Sequence, residues 1–461
     1  MFPPFNQELA HHYCEKIITE IHSGKLELKQ ITSISQERID QGLMIGSAVC
    51  WDSKNNKRVI LAAVSGISRQ LTGQTDNNTI IVPPIVDNQI ITAALKKNDH
   101  IIHELTDKIN QIENTAQKTE QNIELKNRLI AERKNLTDES LLKVFDEYSF
   151  TRFDGTKITL NQIIKEHDGK LPPTGTGDCC APKLLSYAFE HKLQIISMDE
   201  VYFGKDTAHK SNGQSYPPCD ERCGYILPSI LGLEIIYRDN DIIVINKPSG
   251  LLSVPGKGEE KQDCVSSRIK TLFPDCIEQP SVHRLDMETS GVMVYAFTAE
   301  AHKNLSKQFE DGLVHKEYEA LLDGVLALAK GNLAPKNGET SGIMQLPFRL
   351  DVDNRPHQIY DEIYGKIGIT EWINKGTEYF VNPVTKKRKK VTRVVFIPHT
   401  GRTHQLRLAA SDIHGFGLPI TGDSLYGTVQ TGERLMLHAY KLSFNHPTSG
   451  KLLTFEKKSG F

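Results

Sequence analysis

The chain has 461 residues, too many for one compact core, and its 38% hydrophobic and 24% charged residues are ordinary for a globular protein. A formal net charge of −2 gives no overall pull towards polyanions, and no apolar run approaches the roughly 20 residues that a membrane span needs. The opening stretch MFPPFNQELAHHYCEK has no basic region followed by an apolar block, so the expectation is a cytoplasmic protein without a signal peptide, its eight cysteines reduced.

Along the chain the pattern divides into four stretches. Residues 1–92 mix short helical and strand-like runs such as RVILAAVSGISRQL, and read as an α+β region. Residues 93–140 are highly charged and lack Gly and Pro. Apolar residues at Ile102, Leu105, Ile109, Ile112, Ala116, Ile123 and Ile130 follow a heptad, with polar Thr119 and Lys126 interrupting it. This predicts a long helix or helical hairpin, either a solvated amphipathic element or a coiled coil through which two chains associate.

Residues 141–230 form a cysteine-containing accessory region. TGTGDCCAPKLL (174–185) and PPCDERC (217–223) place cysteines in two pairs, which in a reduced chain raises a zinc site on Cys180, Cys219 and Cys223. Buried or surface thiols without a metal are the other reading. The pattern resembles zinc-dependent nucleoside deaminases, but departs from them. Pro182 stands where a proton-shuttling Glu belongs, and three residues, not two, separate Cys219 from Cys223.

From residue 231 onwards strands dominate. LEIIYRDNDIIVINKPSG reads as two β runs around an Asp-Asn-Asp turn, and VHKEYEALLDG, VTRVVFIPHTG and KLLTFEKK as further strands. AEAHKNLSKQFED (299–311) has helical spacing. Residues 231–461 therefore read as an α+β domain on a large mixed or antiparallel sheet. Between Val381 and Ser411 stand eight Lys/Arg and no acidic residue. Lys387, Arg388 and Lys389 are candidate phosphate contacts, or a solvated hairpin turn.

Within this domain the chemistry centres on HRLDMETSGVMVYA (283–296). Asp is disfavoured inside strands, yet Asp286 stands just before an apolar run, two residues after Arg284. It is either a cap for the Met-Glu-Thr-Ser turn or a carboxylate held ionised by a cation. GRTHQLRLA (401–409) places Arg407 between leucines, where burial demands a carboxylate partner, and Asp286 is the candidate. Tyr318, in VHKEYEALLDG, is a core aromatic or a ring that stacks on a base. Lys247, in KPSGLLSVPG, reads as part of a structural turn near the cleft.

Together KPSGLLSVPG, VHRLDMETSGVMV, VHKEYEALLDG, TGRTHQLR, GDSLYG and LHAYKLSFNHP, in this order, resemble the RluA family of RNA pseudouridine synthases. LPFRLDVDNRPHQ (346–358), before TEW, resembles the RluA branch itself. The resemblance implies that Asp286 attacks the target uridine at ribose C1′. It also implies that Tyr318 packs on the base as general base and that Arg407 pairs with the aspartate. His283 and Arg284 would act in base flipping, and Arg402 would contact phosphate or stand in for Arg407. It implies an isomerisation with no cofactor, on tRNA anticodon stem-loops, large-subunit rRNA or both. The alternatives are a non-catalytic RNA-binding or ribosome-assembly factor, and a bifunctional protein with zinc chemistry in the first half.

Overall fold

The structure is a computed structural model, described for residues 5–30, 42–66, 69–76, 78–114, 120–167, 169–258, 261–326, 334–335 and 341–461. The chain divides into two compact units, Met1–Gly232 and Leu233–Phe461.

In the first unit, helix α1 (Glu8–His22) precedes strands β1 (Leu26–Gln30), β2 (Leu43–Asp52), β3 (Lys57–Val64), β4 (Arg69–Gly73) and β5 (Thr79–Ile81). Two long helices follow, α2 (Asn88–Glu113) and α3 (Glu120–Asp146), then β6 (Ser149–Thr151), β7 (Lys157–Thr159) and α4 (Leu160–Glu166). The unit ends with α5 (Cys180–Glu190), β8 (Gln194–Phe203) and α6 (Cys223–Leu231). Its main sheet runs β5-β3-β2-β8, with β2 antiparallel to both neighbours. Helix α5 lies directly on β2: a Cβ at Gly46 would stand 2.4 Å from Cys180 Cβ, so only glycine permits this approach.

The heptad segment is a hairpin of two helices. Asn98 Nδ2 donates to Ser140 Oγ at 3.1 Å, and Lys126 pairs with Glu113 at 2.8 Å, so α3 returns along α2. Leu105 and Ile109 are 5% and 4% exposed and bury within the chain, whereas Ile123 is 51% exposed. Lys126, which interrupts the apolar repeat, thus meets its counter-charge across the hairpin. Ala116 and Thr119 lie outside the described residues.

The second unit comprises β9 (Glu234–Arg238), β10 (Ile242–Lys247), α7 (Val265–Leu272), β11 (Ser290–Ala296), α8 (Ala299–Glu310), β12 (His315–Leu322) and β13 (Ala334–Pro335). It continues with β14 (Ser341–Leu350), β15 (Gln358–Tyr360), β16 (Lys366–Val381), β17 (Arg388–Pro398), α9 (Gln405–Ser411), β18 (Leu437–Asn445) and β19 (Leu452–Glu456). One eleven-stranded sheet runs β13-β14-β16-β17-β12-β18-β11-β10-β9, with β15 beside β14 and β19 beside β18. All pairings are antiparallel except β11 with β18. This is the α+β domain on a large mixed sheet that the strand pattern predicts. One apolar cluster joins α9 to β12, β14, β16 and β17 around Trp372 and Phe396; another joins α8 to β10, β11 and β18 around Leu305 and Phe444. Among the described residues no helix is long and apolar enough to cross a membrane.

At the parallel step between β11 and β18 the backbones touch. Gly291 has φ +130°, and a Cβ there would lie 2.3 Å from the Ala439 carbonyl oxygen. The glycine of Thr-Ser-Gly is thus what lets β11 start against β18, and the loop carrying Asp286 ends at that point.

Candidate active site

Asp286 sits in a loop, not on an extended strand. The loop is clamped from the segment after β10. Ser253 Oγ donates to the Leu285 carbonyl at 2.7 Å and accepts the Leu285 N–H at 3.0 Å. Ser249 Oγ donates to the Glu288 carbonyl at 2.6 Å. The ammonium of Lys247, wholly buried, donates to the carbonyls of Pro248, Leu251 and Met287 at 2.9, 2.7 and 2.9 Å. Burial draws Lys247 down towards about 7, against the pull of the Asp286 charge. The KPSGLLS stretch is the frame of this loop, a use visible in the sequence only as a turn.

With the backbone held in this way, the carboxylate is left free. Among the described residues the Asp286 side chain makes no hydrogen bond, so it does not cap the turn; Thr289 N–H reaches the Asp286 carbonyl instead, at 3.1 Å. The carboxylate is 24% exposed and faces a cavity of about 630 Å³. His283, Arg284, Tyr318, Arg402 and Arg407 line the same cavity, which is roomy enough for a small organic ligand.

The expected pairing of Arg407 with Asp286 is corrected. The guanidinium makes a bidentate contact with Asp423 (Nε–Oδ2 2.9 Å, Nη2–Oδ1 2.6 Å) and a third bond to Glu288 Oε2 at 2.9 Å. Asp423 is completely buried and presents both oxygens in the plane that the guanidinium fork requires, so it takes the arginine. Burial alone would lower the Arg407 pKa, but the hydrogen bonds and charge of Asp423 hold it above the usual value. Asp286 feels this arginine as a fixed positive charge, not as a bonded partner.

One group close to the nucleophile candidate is one that sequence reasoning passed over. His404 Nε2 lies 4.0 Å from Asp286 Oδ1. Its other nitrogen, Nδ1, stands 2.8 Å from the Tyr426 hydroxyl, which itself accepts the Gln358 N–H at 2.8 Å. With Tyr426 donating to Nδ1, the proton of the neutral ring sits on Nε2, the nitrogen on the Asp286 side. Burial lowers the His404 pKa, with the Asp286 charge opposing. His404 holds φ +53° as N-cap of α9, an uncommon conformation for a non-glycine residue. Next to it, Gln405 ties the preceding loop by accepting from Thr400 Oγ1 and Arg402 N–H.

Tyr318 comes from β12 at a bulge after Glu317, between Phe396 of β17 and Ala439 of β18. Its hydroxyl has no hydrogen-bond partner among the described residues. Burial, and then the Asp286 charge, push the phenol well above its ordinary pKa. Its hydroxyl is therefore protonated before a substrate enters.

His283 is built into the wall of the cavity. Its Nε2 accepts the Val294 N–H at 3.1 Å and its ring stacks on Phe309 at 4.5 Å. Burial, with Lys316 adding to it, depresses its pKa to about 3, so the ring is a neutral wall. Arg284 is exposed at the cavity and makes no ion pair among the described residues. Arg402 is exposed there too, with Nε donating to the Ile367 carbonyl at 3.2 Å.

The basic hairpin is elsewhere. β17 carries Lys389 at one end and cavity-lining Pro398 at the other, nine residues away, or about 30 Å at the rise of an antiparallel strand. Lys389 is neutralised by Asp323 at 3.0 Å and Glu433 at 2.9 Å, and Arg388 lies over the Tyr379 ring at 4.5 Å. Lys387 is exposed. The metal candidate changes as well: Cys180 faces the sheet, its thiol directed at the Met44 carbonyl at 3.3 Å, and Cys179 joins Cys219 and Cys223 in its place.

Residues 241–412 match the family model described as RNA pseudouridylate synthase. The dual-specificity RNA pseudouridine synthase RluA of Haemophilus influenzae is 39% identical over 232 residues, covering 50% of this chain and 94% of that protein. The protein of the same name from Escherichia coli gives the same identity and coverage. Among solved structures, the human RNA pseudouridylate synthase domain containing 1 is 25% identical, covers 49% of this chain and 83% of that one, and has a TM-score of 0.37. The match to the bacterial relatives spans nearly their whole length, and the chain belongs to the RluA family of RNA pseudouridine synthases.

Proposed function

We propose that this RNA pseudouridine synthase acts through Asp286 as nucleophile on a uridine everted into the cavity. One Asp286 oxygen bonds to ribose C1′ while the C1′–N1 bond breaks and its electron pair leaves with the uracil. The detached ring turns, C5 bonds to C1′ as the carboxylate is released, N1 takes up a proton, and the C5 proton passes to a base or to solvent. The observation that carries this reading is a carboxylate with no hydrogen-bond partner among the described residues, aimed into a cavity of about 630 Å³. A nucleophile needs its lone pairs unengaged, and the fixed cation Arg407 and the Nε2 of His404 supply the balancing field.

The neutral phenol of Tyr318 stacks on the everted base and donates to it. Once Asp286 is consumed in the ester, the charge that helps to hold the phenol protonated is gone, so the phenol gives its proton to the detached uracil more readily, and the phenolate left behind can take the C5 proton. Arg284, unpaired at the cavity, fills the space that the uridine vacates; its guanidinium plane replaces part of the lost stacking, against an unstacking cost of a few kcal/mol. Arg402 contacts phosphate. The substrates are tRNA anticodon stem-loops, large-subunit rRNA or both, a reading supported by the stretch LPFRLDVDNRPHQ and by the dual-specificity relatives. The setting is cytoplasmic. Replacing Asp286 by Asn keeps the shape and removes the charge. Pseudouridine formation on tRNA and rRNA transcripts is expected to vanish while RNA binding stays within a few-fold of the parent; an active Asn variant overturns the assignment.

A further inference from the structure

The first unit carries a cluster that the isomerisation does not use. The Sγ atoms of Cys179, Cys219 and Cys223 lie within 4.8 Å of one another, and no fourth His, Cys, Asp or Glu joins them among the described residues. Three elements converge to make it. Cys179 is the N-cap of α5, Cys223 is the first residue of α6, and neither N-cap residue, Cys179 or Arg222, caps its helix through its own side chain. Cys219 lies in the segment between β8 and α6, and its carbonyl accepts the Gly224 N–H at 3.0 Å, which folds the Cys-x-x-x-Cys turn. The backbone at the α5 end is fixed from the sheet: buried Glu200 accepts the Ala181 N–H at 2.8 Å.

Two helix N-termini aimed at one group of thiols favour the thiolate form. In tetrahedral coordination with Zn–S of about 2.3 Å, ligand sulfurs stand about 3.8 Å apart, inside the 4.8 Å that encloses the three sulfurs here. Soft thiolates select zinc over the hard cations. The stretch after β8 is bonded back to that strand through Gly213, Gln214 and Tyr216, and no helix or strand is described from there to Cys223, so a metal tie would also fix its last part.

We propose that Cys179, Cys219 and Cys223 hold a zinc ion as thiolates, with a fourth, exchangeable position taken by water. Binding releases the thiol protons to solvent. A carboxylate does not stand two residues after Cys179, where Ala181 is found, so the proton shuttle of the nucleoside deaminases is absent from that place.

The test uses the full chain, purified under reducing conditions. Elemental analysis is expected to give about one zinc per chain, released stoichiometrically as a mercurial titrates the thiols. Cys219→Ser, at an exposed position, is expected to lose the metal, and Cys276→Ser in the second unit to keep it. Cobalt exchanged into the unaltered protein is expected to show thiolate charge-transfer absorption, with its visible bands moved by added azide. Protein with free thiols and less than about a tenth of a zinc, or with a disulfide between two of these cysteines, overturns the site. Cobalt bands that azide leaves unchanged overturn the exchangeable position. These readouts are independent of turnover at Asp286.

Discussion

The two units hold their reactive side chains in opposite ways. In Leu233–Phe461 one carboxylate is left unengaged while the cations near it are committed elsewhere: Arg407 to Asp423 and Glu288, Lys247 to three carbonyls. In Met1–Gly232 the three thiols of Cys179, Cys219 and Cys223 face one another. A nucleophile needs a rigid, charged surrounding that does not consume its lone pairs, whereas metal ligands need a common target. The difference lies in whether the neighbours of the reactive atom are already satisfied.

Disturbing the satisfied neighbours is the way to break this contrast. Asp423→Asn leaves the buried Arg407 charge without its main partner and is expected to cost about 3–5 kcal/mol of stability, read from the denaturant midpoint. An Asp423→Asn, Arg407→Met pair should cost less than the sum of the singles, because the stranded charge is removed. Removing only the Tyr318 hydroxyl, as Tyr318→Phe, keeps the stacking ring. It is expected to lower kcat about 100-fold with RNA affinity retained, measured in single-turnover assays.

A smaller effect concerns pH. His438, buried where β11 meets β18, stands 2.8 Å from Ser290 Oγ and 3.0 Å from the Lys457 carbonyl, and burial lowers its pKa to about 4. The unfolded chain takes up a proton near 6.5 that the folded one refuses. The stability from this group is therefore full above pH 6.5 and lost as pH falls towards 4. The loss at pH 5 is on the order of 1–2 kcal/mol, seen as a fall in Tm that shrinks in His438→Gln. The smallest effect is expected at the remote hairpin: Lys387→Ala should change RNA affinity by less than about 0.5 kcal/mol, measured as Kd at two salt concentrations.

Much of the second unit was legible because its signals are local. The Asp-Asn-Asp turn between β9 and β10, the helical spacing of 299–311 and the Thr-Ser-Gly before β11 each report short-range geometry. The loop with Asp286, the ring of Tyr318 and the arginines 284, 402 and 407 meet at one cavity. Pairing across the fold was not legible. Burial of Arg407 demanded a carboxylate, but nothing in TGRTHQLR tells Asp286 from Asp423, which lies in GDSLYG and wins by bidentate geometry. His404 escaped notice because its role depends on Tyr426 and Gln358, which come from other parts of the chain. Among the cysteines, Cys179 and Cys180 are adjacent, and only the approach of α5 to Gly46 decides which one faces the sheet.

The central claim is that the carboxylate at position 286 bonds to the substrate sugar. The most direct measurement quenches single turnovers of enzyme with substrate RNA while the C1′ ester is in place, before C5 bonds to C1′ and releases the carboxylate. Digestion and mass spectrometry of the enzyme–RNA adduct should place the nucleotide on the peptide that contains Asp286. Attachment at any other residue would contradict the account.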